Sequence, residues 1–108
     1  MPKFVAIGYG DRAGYERTPK SVRDAAHAQD AKLLAEGALI GMAGKPVQVR
    51  NPEAGHLETS EGPFMSSGLP IAGFAIIDAA DLAEAIEKVS GVPCAVAHGV
   101  VEIWPLQE

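Results

Sequence analysis

The segment Glu58-Thr-Ser-Glu-Gly-Pro-Phe64, followed by Ile71-Ala-Gly-Phe-Ala-Ile-Ile77, decides the fold of this chain. Proline fixes its own φ angle and pushes the preceding residue toward an extended or turn conformation, so Gly62-Pro63 predicts a forced turn. Phe64 supplies a large apolar side chain that is expected to anchor this turn. An acidic residue on a rigid turn, directly ahead of an apolar strand, is a place where a binding or catalytic site is expected.

The segments on either side of this stretch predict the remaining elements. Runs rich in β-branched residues, helical spacing of apolar residues, and Gly, Pro or Asp at the boundaries mark their approximate limits. The order is β-α-β, hairpin, β-α-β, which predicts an α+β protein: a ferredoxin-like split β-α-β antiparallel sheet with an inserted β-hairpin, in a single domain covering 1–108. The predicted strands are 3–9, 38–44, 71–77 and about 96–104, the helices are about 18–36 and 80–90, and the hairpin joins 46–50 to 56–59.

The central strand 71–77 also predicts an assembly. Side chains alternate between the two faces of a strand, and both alternating sets here are apolar. Helices in this fold cover only one face of the sheet, and an uncovered apolar face marks an interaction surface. We therefore predict a homodimer joined sheet to sheet, with a cavity near the seam. The two sets are Ile71, Ala75 and Ile77 on one side, and Ala72, Phe74 and Ile76 on the other.

The last strand places polar side chains on the same seam. If Val101 faces the helices, then His98, Glu102 and Trp104 lie on the opposite side of the sheet, where they are candidates to bind a ligand. The alternative is a strand at the edge of the sheet, with Glu102 simply in contact with solvent.

Composition excludes several classes of protein. A net charge of −5 and scattered basic residues argue against a nucleic-acid partner. No run approaches the roughly 18 apolar residues of a membrane span. Cys94 is the single cysteine, which excludes an internal disulfide and predicts a cytoplasmic location. The three histidines fall on separate elements and no cysteine pair occurs, so neither a metal site nor a cofactor is predicted.

Two acid–base candidates stand out. His27 lies on the first helix with Asp30 three residues later, a spacing that brings a carboxylate close to the imidazole and is typical of general acid–base catalysis. The alternative is a partly exposed histidine in a local ion pair. Glu61 is the second candidate, because the turn holds it rigidly and Phe64 is expected to shield it. Its alternative is a turn carboxylate that accepts backbone N–H groups.

Several of these motifs together resemble one family. The chain is similar, over nearly its whole length, to the YCII-related superfamily and within it to the group named for an Asp-Gly-Pro-Phe motif. The resemblance implies a dimeric α+β barrel whose biochemical role is mostly unknown. Some relatives are lyase-like, including a dehydrochlorinase that acts on a chlorinated hydroxyquinone, and many members of the group are encoded beside alternative sigma factors. The motifs are Tyr9-Gly10-Asp11, His27, Glu36-Gly37, Glu61-Gly-Pro-Phe64, Gly73-Phe74, Asp81-Leu-Ala-Glu-Ala-Ile86 and Val101-Glu-Ile-Trp-Pro-Leu106.

The resemblance also assigns residues. A histidine–aspartate pair has been proposed as the machinery of the lyase-like relatives; the family histidine falls on His27 and the motif acid on Glu61. This chain departs from the pattern, with Glu61 for the usual Asp, 65–70 in place of a charged stretch, and Trp104 for the usual Arg. These departures argue against an anionic substrate.

Three hypotheses for function follow. The first is a cofactor-independent lyase or isomerase that acts on a small cyclic organic molecule. In it, His27 moves a proton and is oriented by Asp30 or by the end of its own helix. Glu61 or Glu102 supplies the complementary group, and Phe64 and Trp104 form apolar walls. The second is a non-catalytic ligand-binding, accessory or regulatory dimer. The third is a purely structural dimer.

Overall fold

A four-stranded antiparallel sheet with helices on one face, and a separate two-stranded hairpin, make up this computed structural model, which describes residues 1–107. The order of strands in the sheet is β2-β5-β1-β6, and without the hairpin the chain follows the ferredoxin-like β-α-β-β-α-β path. The predicted fold class is confirmed. The elements are β1 Lys3–Tyr9, α1 Arg12–Glu16, α2 Lys20–Ala35, β2 Leu39–Met42, β3 Val47–Arg50, β4 Glu58–Glu61, β5 Ile71–Asp78, α3 Leu82–Val89, α4 Pro93–Val96 and β6 Val100–Pro105, with a 3₁₀ turn at Pro52–Ala54.

Two short helices were not predicted. Residues 10–18 were expected to form a polar loop, but they contain α1, whose first turn is capped by Asp11 through a hydrogen bond from the Gly14 N–H (2.8 Å). The last strand was expected to begin near residue 96, but α4 occupies 93–96 and β6 begins at Val100. The reason is local: proline is favoured at the first position of a helix, and Pro93 begins α4.

The core lies between the helices and one face of the sheet. Phe4 and Ala6 of β1, Ile77 of β5 and Ala85 and Val89 of α3 are buried together there. The apolar side of α3 is only partly buried, since Leu82 and Ile86 remain about half exposed.

The opposite face of the sheet is mainly apolar, and none of the helices in the described part of the chain packs on it. Residues that pair directly across an antiparallel sheet point to the same face. The register therefore places two neighbouring rows of side chains on this face, each with one residue from every strand. In the first row Trp104 remains 54% exposed, and in the second Phe74 remains 46% exposed. This surface is called the bare face below. Its two rows are Leu39, Ile76, Val5 and Trp104, and Gly41, Phe74, Ile7 and Glu102.

The hairpin of β3 and β4 is exposed over almost its whole length. Glu61 is the last residue of β4, and the turn itself lies at Gly62, which has a φ of +98°. Phe64 was expected to anchor this turn, but it is 79% exposed, and its ring contacts the Arg50 guanidinium, 5.7 Å from the centroid. The expected shielding of Glu61 is therefore wrong for the single chain, because no second layer within residues 1–107 packs over the hairpin.

Candidate functional site

A cavity of about 600 Å³ lies between the helices and the sheet. Gly8, Gly73 and Ala75 border it from β1 and β5, and these small residues leave space beneath α2 and α4. Most of its wall is apolar. This cavity of the single chain lies mainly on the helical side of the sheet, and Gly41 and Phe74 of the bare face reach its border. The cavity predicted near a dimer seam stays a prediction. The apolar wall includes Ala6, Leu33, Ile40, Val89, Val92 and Val101.

His27 stands at the border of this cavity. It projects from α2, is exposed on its outer side, and its Nε2 lies 2.7 Å from the hydroxyl oxygen of Tyr15 on α1. The two ring centroids are 5.9 Å apart, with the planes tilted by 59°. The imidazole is therefore held by a side chain twelve residues away rather than by a neighbour on its own helix.

Asp30 borders the same cavity, half-buried, one helical turn after His27. The structure thus brings His27 and Asp30 to one cavity, as their spacing suggested. Within residues 1–107, however, the side-chain hydrogen bond of the imidazole is to Tyr15 and not to Asp30. Desolvation raises the pKa of the Asp30 carboxyl, and the nearby charge of His27 lowers it by a smaller amount. A carboxylate with a raised pKa is a stronger base, which suits proton transfer.

Cys94 also lines the cavity, from α4. Its sulfur packs so closely on β1 that a Cβ added at Gly8 would lie 2.8 Å from it. Desolvation raises the pKa of the thiol, and the charge of Asp30 adds to this shift. Cys94 is half-buried, beside His27 and Asp30 at the border of the cavity.

The other candidates from the sequence do not line this cavity. Glu61 and Phe64 lie on the exposed hairpin. His98 is exposed in the turn before β6 with a φ of +63°, rather than in the strand where it was expected. Glu102 and Trp104 lie on the bare face, where the Tyr9 hydroxyl donates a hydrogen bond to Glu102 (3.1 Å). Their roles in ligand binding stay predictions, and they belong to a different face of the sheet.

The chain matches the family model of the YCII-related domain over residues 3–108. It belongs to this family. No curated protein matches the chain. In the part of this YCII-related chain that the structure describes, no helix is long and apolar enough to cross a membrane, and no group of three or more His, Cys, Asp or Glu side chains is placed to hold a metal ion.

Sequence reasoning missed Tyr15 in this YCII-related domain. The residue lies in a segment that was predicted to be a loop, so nothing directed it toward His27. The available signal was Asp11, because an aspartate ahead of a short run of helix-compatible residues is typical of an N-cap. A helix starting at Arg12 would have placed Tyr15 on its surface, but its contact with His27 depends on how α1 packs on α2.

The substitution Asp30→Asn is expected to make this YCII-related protein more stable at neutral pH. The raised pKa means that the folded chain holds a proton on Asp30 more strongly than the unfolded chain does. Stability is therefore lost as the pH rises through the raised pKa, and Asp30→Asn removes that loss. Thermal unfolding should show a higher midpoint for the variant at pH 7, with the difference vanishing below the ordinary pKa of aspartate. A midpoint that is unchanged or lower at pH 7 would contradict this.

Proposed function

We propose that this YCII-related protein is a small cofactor-independent enzyme of the lyase or isomerase kind. Its substrate is a small, mostly apolar, cyclic organic molecule that carries a carbonyl group. The observation that supports this most is that His27 and Asp30 border one cavity of about 600 Å³ whose walls are otherwise mainly apolar. Cavities of this kind, with a few convergent polar groups, are typical of small-molecule sites.

The proposed chemistry is proton abstraction next to the carbonyl group. The Asp30 carboxylate takes a proton from the adjacent carbon, and the electron pair of that C–H bond moves onto the carbonyl oxygen. The imidazole of His27 donates a hydrogen bond to that oxygen as negative charge develops. Return of the proton to a different carbon gives an isomer, whereas expulsion of a leaving group gives the product of a lyase. In the second case Asp30 releases its proton to solvent.

A ligand screen tests this proposal. We expect some members of a library of small cyclic ketones, quinones and acids to raise the unfolding temperature of the native protein, because binding at a hundredfold excess over Kd stabilises by about 2.7 kcal/mol. His27→Ala should reduce these shifts. His56→Ala is the matched control, since the His56 side chain is exposed on the hairpin (76%) and outside the cavity. Equal shifts in the native protein and in His27→Ala would remove His27 from the site.

A non-catalytic ligand-binding or regulatory protein is the second candidate. The observation that favours it is that the exposed imidazole of His27 is paired with a phenol rather than with a carboxylate. Exchange of carbon-bound hydrogen for deuterium separates the two functions. An enzyme of the proposed kind accelerates exchange next to the carbonyl of a bound ligand, and a binding protein leaves it at the rate seen in buffer.

We also propose that two copies associate through the bare face, as a dimeric α+β barrel of the Asp-Gly-Pro-Phe group. The support is the first row of the bare face, which is apolar across all four strands and which the described helices leave uncovered. Glu102 and Trp104 would then lie at the seam, where they and His98 are candidates for a second set of ligand contacts. Glu61 and Phe64, on the exposed hairpin, are candidates to reach the second copy. A cytoplasmic location fits the single cysteine.

A further inference from the structure

The hydrogen-bond partner of His27 is a tyrosine, and the contact occupies Nε2 of the imidazole. The distance between the Tyr15 hydroxyl oxygen and Nε2 of His27 is 2.7 Å. Bonds donated by an O–H group to oxygen cluster near 2.7–2.8 Å, whereas bonds donated by an N–H group to oxygen cluster near 2.9–3.0 Å. The short separation therefore favours the hydroxyl as the donor. If the phenol donates to Nε2, its hydroxyl hydrogen has a protein acceptor. If Nε2–H donates to the phenol oxygen instead, the hydroxyl hydrogen is left to solvent.

We propose that Tyr15 is a positioning residue that fixes the tautomer of His27. Its hydroxyl donates to Nε2, so the proton of the neutral imidazole is on Nδ1. Nδ1–H is then the group that donates to the carbonyl oxygen of a ligand. This last step rests on the proposed function, but the tautomer itself does not. Free histidine prefers the opposite tautomer, with the proton on Nε2, so the phenol reverses an intrinsic preference.

The structure holds Tyr15 firmly enough for this role. The helix that carries it is capped by Asp11 and is closed at its other end by buried Thr18, whose hydroxyl donates to the Gly14 carbonyl (2.8 Å). Gly14 is itself buried against α4, where an added Cβ would lie 2.6 Å from the Ala97 carbonyl oxygen. The helix therefore packs at a distance that only glycine permits.

The side chain of Arg23, on α2, contacts the ring of Tyr15. The Arg23 guanidinium lies over the phenol, 5.0 Å from the ring centroid, in the geometry of a cation–π contact. This contact does not involve the hydroxyl, so Tyr15→Phe removes the hydrogen bond to His27 and keeps the ring, its packing and its contact with Arg23. The substitution isolates the hydroxyl.

Nitrogen-15 NMR tests the proposal without any ligand. In the labelled native protein at about pH 8.5, where histidine side chains are neutral, we expect Nε2 of His27 to resonate as an unprotonated nitrogen and Nδ1 as a protonated one. In Tyr15→Phe we expect the reverse, with Nε2 protonated and Nδ1 unprotonated. His56, on the hairpin, is the internal control and should show the ordinary Nε2–H tautomer in both proteins.

Two results would overturn the proposal: a native protein in which Nε2 of His27 is protonated, or a Tyr15→Phe spectrum identical to that of the native protein. If the variant does not fold, the spectrum of the native protein alone decides between the two tautomers. Failure of the proposed function is a separate result, because a protein that binds no ligand in the screen still has a measurable tautomer.

Discussion

Replacing Ile77 with alanine is expected to lower the free energy of unfolding by about 2–5 kcal/mol. Ile77 is only 2% exposed and is the largest fully buried side chain in the described part of the chain. It lies opposite Phe4 in the register of β1 and β5 and belongs to the cluster that joins the sheet to α3. Removing three carbons there leaves a void that backbone hydrogen bonds on both sides prevent from closing. Urea unfolding followed by circular dichroism, at one fixed protein concentration, measures the loss.

Ile86→Ala is the matched control for this variant. It makes the same chemical change on α3, but Ile86 is 52% exposed, so we expect a change within about 0.5 kcal/mol. Equal losses in the two variants would contradict the placement of the core between the helices and the inner face of the sheet.

Phe74→Asp is expected to convert a dimer into single chains. Phe74 lies in the second row of the bare face, between Gly41 and Ile7 in the register of the sheet. In the proposed dimer two carboxylates would be buried at the seam without partners, and burying an unpaired charge costs several kcal/mol. In single chains the side chain at this position is about half exposed to water, so the variant should still fold.

Light scattering after size-exclusion chromatography measures this change. The native protein should show twice the chain mass of 11.2 kDa, and Phe74→Asp should show the single mass. Leu34→Asp is the control, because Leu34 is similarly exposed but lies on α2, on the helical side. A native protein with the mass of one chain, or a Phe74→Asp variant with the double mass, would refute the dimer.

The main elements of the fold could be predicted because their signals are local. β1 was predicted to within a residue from a run of β-rich residues, and α2 from its spacing and from the glycine that follows it. The helices α1 and α4 have five and four residues, too few to show a period, and they were missed. The sequence also could not show that Ile86 lies beyond the edge of the core, because this depends on where α3 crosses the sheet.

The site was harder to predict than the fold. His27 and Asp30 border the same cavity because they are three residues apart on one helix, so their common location could be predicted. Tyr15 could not, because its contact with His27 depends on the packing of two helices. The position of the cavity depends on distances between layers, which the small residues Gly8 and Gly73 determine only once the strands and helices are assembled. The prediction for Phe64 was wrong because it relied on a general tendency. A bulky apolar residue after a turn usually packs on another layer, but Phe64 is exposed in the single chain.

The reactivity of the thiol of Cys94 tests the occupation of the cavity most directly. Cys94 is the single cysteine of the chain and lines the cavity beside Asp30, so its reaction with an aromatic disulfide reports on this one site. The rate should be measured at mildly alkaline pH, with and without a saturating amount of a compound that raises the unfolding temperature. The account predicts that the bound compound slows the reaction at least tenfold, a protection equivalent to about 1.4 kcal/mol. An unchanged rate at full occupancy would place the ligand elsewhere and contradict the proposed site.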